Sequence, residues 1–284
     1  MTDLRDNGWV RELEDSSTLK ALTKSKVPKA FKTFAAPVEV RPDLGANAHK
    51  LENQSSMGSC QGHAIASCCE QLHTIATGGD RTQLSNIFAY LASQRITGDQ
   101  LFGRDSGSTI SSGVELATGN GICPEALAPY PNPVRYPNSS ERNRILSDEN
   151  YAAGKPYMIR SSVGIKTYDD AVTWIGGGGA INLGIAWPPK MRNVSGRKTA
   201  VAAASSGGGH AIAGLGYKKN GNLIFANSHN YWMDITPDAF EQMLKHRWTV
   251  AIGLSDMANP VPRTLADFKK GMSEWAKEVR DIWS

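Results

Sequence analysis

Gln54 stands six residues before Cys60 in the run Asn53-Gln54-Ser55-Ser56-Met57-Gly58-Ser59-Cys60, and small and apolar residues follow. Far downstream come Gly209-His210-Ala211 and then Asn227-Ser228, with Asn227 17 residues after His210. These residues offer a thiol, a base, an orienting amide and a donor for a developing oxyanion. That is a full set of parts for acyl transfer through cysteine.

Each type suits its task. A cysteine at a helix start sees unpaired N–H groups and the positive end of the macrodipole, which favour thiolate. A neighbouring imidazole completes an ion pair in which sulfur is already the nucleophile. The alternative for Cys60 is a buried structural thiol, the common fate of an unpaired cysteine. An amide at Asn227 orients His210 without adding negative charge. Gln54, with the Cys60 backbone N–H, can donate to a tetrahedral oxyanion.

The elements that must position these groups are legible in part. Cys60, Ala64, Cys68, Leu72 and Ile75 recur with helical period from Ser59 to about Ala76, and Thr77-Gly78-Gly79 stops the helix. Second and third helices are expected over Leu84–Arg95 and Thr109–Thr118. Five prolines between Pro124 and Asn138 make that stretch irregular. The second half turns to β-structure: 180–187, 211–217, 223–227 and 248–254 read as strands. Asn220-Gly221-Asn222 joins two of them as a hairpin. A helical part followed by a β-rich part predicts an α+β fold with a cleft between two lobes.

The chain has 284 residues, 40% of them hydrophobic and 20% charged, enough to bury a large core. Its net charge of +4 comes without a basic stripe, so no nucleic-acid partner is expected. No apolar run approaches the roughly 18 residues of a membrane span, so no membrane is expected either. The opening Met1-Thr2-Asp3-Leu4-Arg5-Asp6 lacks a secretory layout, and four cysteines do not suggest a disulfide scaffold. A reducing cytoplasm is the expected location, or a virion if the chain is phage-encoded.

Residues 1–35 are polar and read as an arm. Residues 36–256 read as the catalytic domain, entered through an extended segment with Val38 and Val40 alternating before Pro42. Residues 257–284 carry Leu265, Phe268, Met272, Trp275, Val279 and Ile282 at helical spacing. That amphipathic helix either packs on its own domain or docks a protein partner.

With these residues in view, the chain resembles the papain-like (C1) cysteine peptidases over about 36–256. Gln54 and Cys60 keep the family's spacing, as do Gly58-Ser59-Cys60, Gly209-His210-Ala211 and Asn227-Ser228. Gly121-Ile122-Cys123-Pro124-Glu125 and Pro129-Tyr130-Pro131 are similar to bacterial and phage-type members. The resemblance implies a two-lobe papain-like fold, helical left lobe and sheet or barrel right lobe. It also implies catalytic Cys60, His210, Asn227 and Gln54, and a peptide-binding wall near 105–108. Gly58, Gly107, Ser108, Gly209 and Trp232 are the substrate-binding candidates. A protein or peptide substrate is implied, with no metal and no cofactor.

The departures are specific. Gln61 replaces an aromatic after the nucleophile. His229 replaces the tryptophan that shields the asparagine, a role Trp232 is expected to share. Met57 replaces a disulfide cysteine, which leaves the wall without its usual bridge. No long inhibitory propeptide precedes residue 36, so the enzyme is made active, is gated by its short arm, or is controlled by a partner.

Other features carry less. His63 lies on the helical face of Cys60 but is expected to point back along the helix. Cys68-Cys69 is not a redox spacing, and Cys123 lacks metal-ligand neighbours. Glycine tracts 176–179 and 207–209 are not followed by Gly-Lys-Ser/Thr, which excludes a phosphate loop. The expected function is a cysteine endopeptidase. Two other readings stay open: a catalytically idle binding or virion-structural module, and a cell-wall peptide amidase or transpeptidase with the same triad.

Overall fold

A computed structural model describes residues 38–255 except 46–47 and 78–80, together with Trp9, Val10, Lys20, Leu22, Lys24, Lys26 and Val27. The amphipathic stretch 257–284 lies outside the described residues.

Side-chain caps start most of the helices. Among the described residues, three helices with defined bounds precede the sheet: α1 (Cys60–Thr77), α2 (Asn86–Thr97) and α3 (Ile110–Gly119). Ser85 accepts the Phe88 N–H at the start of α2, and Thr109 accepts the Ser112 N–H at the start of α3. Two short helices follow, α4 (Ser139–Ile145) and α5 (Asp148–Gly154). Asn138 and Glu141 form a reciprocal capping box on α4. After strand β1 (Ser161–Gly164) comes α6 (Tyr168–Gly176), capped by Thr167.

The remaining strands are β2 (Ala180–Trp187), β3 (Lys190–Val194), β4 (Arg197–Ala202), β5 (Gly208–Tyr217), β6 (Leu223–Asn227), β7 (Tyr231–Ile235) and β8 (Val250–Ser255). Helix α7 (Pro237–Lys245) stands between the last two. All eight strands form one sheet in the order β1-β8-β2-β5-β6-β7-β4-β3, so β1 and β3 are its edges. Within it, β2, β5, β6 and β8 are buried almost throughout, which explains their continuous apolar character. The exposed β3 and the mixed β4 lack such a run, so no apolar pattern announces them in the sequence.

Two hydrophobic clusters lie on the two faces of this sheet. One joins α1, α2 and α3 to Ala180, Ala211, Ala213 and Leu254. The other joins Ile181, Leu183 and Ile212 to Trp174 of α6 and Phe240 of α7. The molecule is therefore α+β, with α1 packed directly on β5 and β2. Strand alternation sends Ala180, Ala211 and Ala213 to the first cluster and Ile181, Leu183, Ile185 and Ile212 to the second.

The glycine tract before β2 has a packing reason. A Cβ on Gly179 would sit 2.4 Å from the Trp174 indole nitrogen, which donates to the Leu254 carbonyl at 3.0 Å. Gly178 adopts φ +87°, turning α6 into β2. In the second tract Gly208 and Gly209 are already in β5.

The entry segment pairs with the sheet at Val40, whose N–H and C=O both bond Tyr217 at 2.9 Å. Val38 is exposed, so the expected Val38–Val40 alternation does not mark a buried face. The arm also differs from its polar reading, because Trp9, Val10 and Val27 are buried. Three apolar residues are too sparse in a charged stretch to announce a core contact.

Candidate active site

Cys60 opens α1 and is wholly buried, at 0% exposure. Its Sγ accepts the Ala211 backbone N–H at 3.3 Å, which fixes the helix start against β5. Burial pushes the thiol up to about 12, against the opposing pull of the Ala211, Gln61 and Cys60 N–H groups. The expected ionised sulfur is therefore not the form this closed arrangement favours: desolvation outweighs the helix terminus.

His210 is on β5 next to Ala211, and Asn227 ends β6. His210 Nε2 lies 3.1 Å from Asn227 Oδ1, and the same oxygen accepts the His229 backbone N–H at 3.0 Å. Three aromatic rings gather here. Trp187 lies 4.4 Å from the His210 ring, and His229 stacks on that ring at 4.9 Å and 12°. Burial, with Lys198 nearby, holds His229 below the usual histidine range. The shielding expected of Trp232 falls elsewhere, because Trp232 lies edge-on to His49 at 5.9 Å. Neighbouring residues on a strand face opposite ways, and Trp232 therefore packs with the helical cluster.

Gln54 is buried and held on three sides. Its backbone N–H donates to the Ser228 carbonyl at 2.8 Å, its Nε2 donates to the Met57 carbonyl at 2.8 Å, and its Oε1 accepts the Ser228 hydroxyl at 2.5 Å. The segment before Cys60 is thus tied to the residue after Asn227. Tyr130 adds a further tie by donating to the Gln54 carbonyl at 3.1 Å. His63, one turn into α1, has Nδ1 3.0 Å from the Ser59 carbonyl, pointing back along the helix.

The wall at 105–108 is joined to the Cys60 segment by hydrogen bonds where Met57 precludes a disulfide. Asp105 Oδ1 accepts the Gly58 N–H at 2.9 Å and the Tyr90 hydroxyl at 2.8 Å. The Tyr90 oxygen accepts the Gly107 N–H at 3.0 Å, and Gln94 donates to the Gly107 carbonyl at 2.9 Å. Gly107 takes φ +81°, a turn that a side chain would strain. Gln61 is fully buried, and its Oε1 accepts the Ser108 hydroxyl at 3.0 Å. A Cβ on Gly113 would lie 1.6 Å from Gln61 Nε2, so Gly113 makes the room for this amide.

One neighbour of the site was not anticipated. Trp9 is 1% exposed and pairs with Ser108, whose carbonyl accepts the Val10 N–H at 3.0 Å. A Cβ on Gly209 would lie 3.0 Å from the Trp9 ring and 2.4 Å from its carbonyl oxygen. No spacing rule connects residue 9 to residue 209. Ser228 and the His229 N–H were likewise missed as holders of Gln54 and Asn227. The Asn-Ser pair was the only signal for either. No group of His, Cys, Asp or Glu fit to hold a metal occurs among the described residues.

This architecture is the papain-like fold, with α1 set against β5 through Cys60 Sγ and the Ala211 N–H and with His210 Nε2 beside Asn227 Oδ1. Solved structures similar to the chain include cysteine proteases. Xylellain, a cysteine protease from Xylella fastidiosa, superposes with a TM-score of 0.67 at 17% identity, over 90% of this chain and 98% of that one. The proform of Amb a 11, a ragweed pollen allergen, gives 0.58 at 14%, over 89% and 75%. Procathepsin L 3 of the Tenebrio molitor larval midgut gives 0.58 at 14%, over 84% and 78%. No family model and no curated protein sequence matches the chain.

Proposed function

We propose that the chain is a cysteine peptidase that hydrolyses peptide bonds in a protein or peptide substrate. The observation that carries this is the joint placement of Cys60 Sγ on the Ala211 N–H and of the adjacent His210 on Asn227 Oδ1. The His229 N–H must donate, so the atom of Asn227 facing it is the oxygen, and His210 Nε2 bears the proton directed at it. Nδ1 is then the basic nitrogen, available to the thiol.

In the mechanism Cys60 attacks the carbonyl carbon as its proton passes to His210, and the C–S bond forms. The oxyanion takes the Cys60 N–H and the second amide N–H of Gln54, the first being engaged with Met57. The imidazolium protonates the leaving amine as the C–N bond breaks. His210 then draws a proton from water, and hydroxide displaces sulfur from the acyl-enzyme.

A second reading, a catalytically idle binding module, draws on the full burial of Cys60. Modification by an epoxide of the E-64 type separates the two. E-64 is bound in a Carica candamarcensis cysteine protease of the same fold, which gives a TM-score of 0.52 at 13% identity over 77% of this chain. Labelling mapped to Cys60 and lost in His210→Ala supports the peptidase. Labelling that is slow, unselective and indifferent to His210 overturns it. Digestion of peptidoglycan rather than protein would move the substrate to cell-wall peptides.

A further inference from the structure

The side-chain amide of Asn227 is satisfied at one end only. Its Oδ1 takes His210 Nε2 and the His229 N–H, so the NH2 end is turned away from both. Asn227 is 1% exposed, and its Nδ2 meets no acceptor among the described residues. A buried donor is rarely left unpaired, and ordered water is its usual partner where protein supplies none.

A small pocket lies against Asn227. His49, Glu52, His63, Ser67, Asn227 and Ser228 supply its polar lining, and it has room for about one water molecule. His63 has Nδ1 3.0 Å from the Ser59 carbonyl. A carbonyl only accepts, so Nδ1 carries the proton. Burial, with His229 nearby, holds His63 down to about 4, so the ring is neutral near pH 7 and Nε2 is an acceptor. The pocket therefore has a donor on its strand side and an acceptor on its helix side. A cation cannot accept from the Asn227 NH2. An anion has no proton to give His63 and would face Glu52. Water accepts from the one and donates to the other.

We infer that this pocket is the seat of one structural water that bridges Asn227 Nδ2 to His63 Nε2, which makes His63 a positioning residue for the His210–Asn227 pair. The Glu52 carboxyl and the Ser67 hydroxyl line the same pocket and offer the further hydrogen bonds a buried water takes, typically about 3 in all. Helix α1 then carries the nucleophile Cys60 and, three residues on, the anchor of the amide that orients the base. An amide turned over would set its NH2 against the two N–H donors and break the bridge as well. The inference rests on the peptidase reading for the role of His210, and it adds a residue that the proposed mechanism does not use.

Two measurements test it, and the first needs no activity. A high-resolution crystal structure of the full chain should show a water within about 2.7–3.2 Å of both Asn227 Nδ2 and His63 Nε2. The second compares steady-state kinetics of His63→Leu and His63→Gln on an unstructured peptide. His63→Leu removes the acceptor and should lower kcat by about tenfold at nearly constant KM, short of the roughly 10²–10⁴ that losing the acid–base group itself costs. His63→Gln offers a carbonyl oxygen in place of Nε2 and should recover most of that kcat. A merely structural His63 would lower Tm in both variants without this split. A pocket with no water touching both nitrogens would overturn the inference. So would a wild-type kcat in His63→Leu, or a His63→Gln no faster than His63→Leu. If neither variant melts cooperatively, the crystal structure decides alone. A bridged water in a protein that hydrolyses no peptide keeps the bridge and sinks the peptidase. Hydrolysis with a dry pocket does the reverse.

Discussion

Asn227 Oδ1 accepts from two sides, with His210 Nε2 at 3.1 Å and the His229 N–H at 3.0 Å. The second contact decides the first. A backbone N–H can only donate, so it fixes which way the amide faces, and the amide in turn fixes the tautomer of His210.

Asn227→Ala removes that orientation. It should lower kcat at nearly constant KM, by tenfold up to the roughly 10²–10⁴ that general acid–base catalysis contributes. Asn227→Asp keeps an acceptor toward both N–H groups and should retain more activity. Equal rates for the two variants would remove Asn227 from the mechanism.

Gln54 is held by Ser228 and Met57 with one amide N–H to spare. Gln54→Ala should cost about 10²–10³ in kcat, the usual effect of deleting one oxyanion donor. Ser228→Ala, which loosens the amide but leaves it in place, should cost less. Steady-state kinetics on an unstructured peptide would show whether that ranking holds.

His229 presents a flat ring to His210 at 4.9 Å and is held below the usual histidine range by burial. It is then an uncharged cover at neutral pH. His229→Phe should keep most of the kcat, whereas His229→Ala, which lets water reach the imidazole, should reduce it. Similar rates for Phe and Ala at pH 7 would mean that stacking contributes nothing.

Asp105 holds the Gly58 N–H and the Tyr90 hydroxyl, both on buried residues. Leaving a buried donor unpaired costs about 1–3 kcal/mol. Asp105→Ala should lower the urea midpoint by that order, and Asp105→Asn, which retains an acceptor, by less. An unchanged midpoint for Asp105→Ala would show that the wall stands without this link.

A buried acidic group gives stability a definite pH dependence. Burial first, then the neighbouring Glu125, raises Glu52 to about 7, and burial raises Glu70 well above the usual carboxylate range. At these two carboxyls the folded chain holds more protons than the unfolded one once pH exceeds about 4.5, so their contribution to stability is fullest below that pH and is lost as pH rises toward 7 and beyond. Buried His49 and His63, lowered to about 3 and about 4, contribute with the opposite sign between those values and 6.5. The difference in Tm between the wild type and Glu52→Gln, followed from about pH 4.5 to 8, isolates the Glu52 contribution and should shift in favour of Glu52→Gln as pH rises. A difference that does not vary with pH would contradict the assignment.

Much of the site was legible because its spacing is local. Six residues separate Gln54 from Cys60, and helical period from Cys60 to Ile75 announces α1. Continuous apolar runs marked β2 and β6 to the residue, since a strand buried on both faces has no polar positions to spare. The exposed β3, the partly exposed β7 and the short capped helices α4 and α5 carry weaker periodicity, so the sequence does not delimit them.

What the sequence by itself determined is the inventory of reactive groups and the α+β order of elements. Tertiary structure alone decided that Trp9 lies between Gly184 and Gly209, that Asp105 links the 105–108 wall to Gly58, and that His229 rather than Trp232 covers His210. The reason is physical. Periodicity records which face of an element is buried, but not which distant residue buries it. The charge state of Cys60 shows the same limit. A helix start favours the thiolate, and only the packing of β5 against that sulfur sets the desolvation that opposes it.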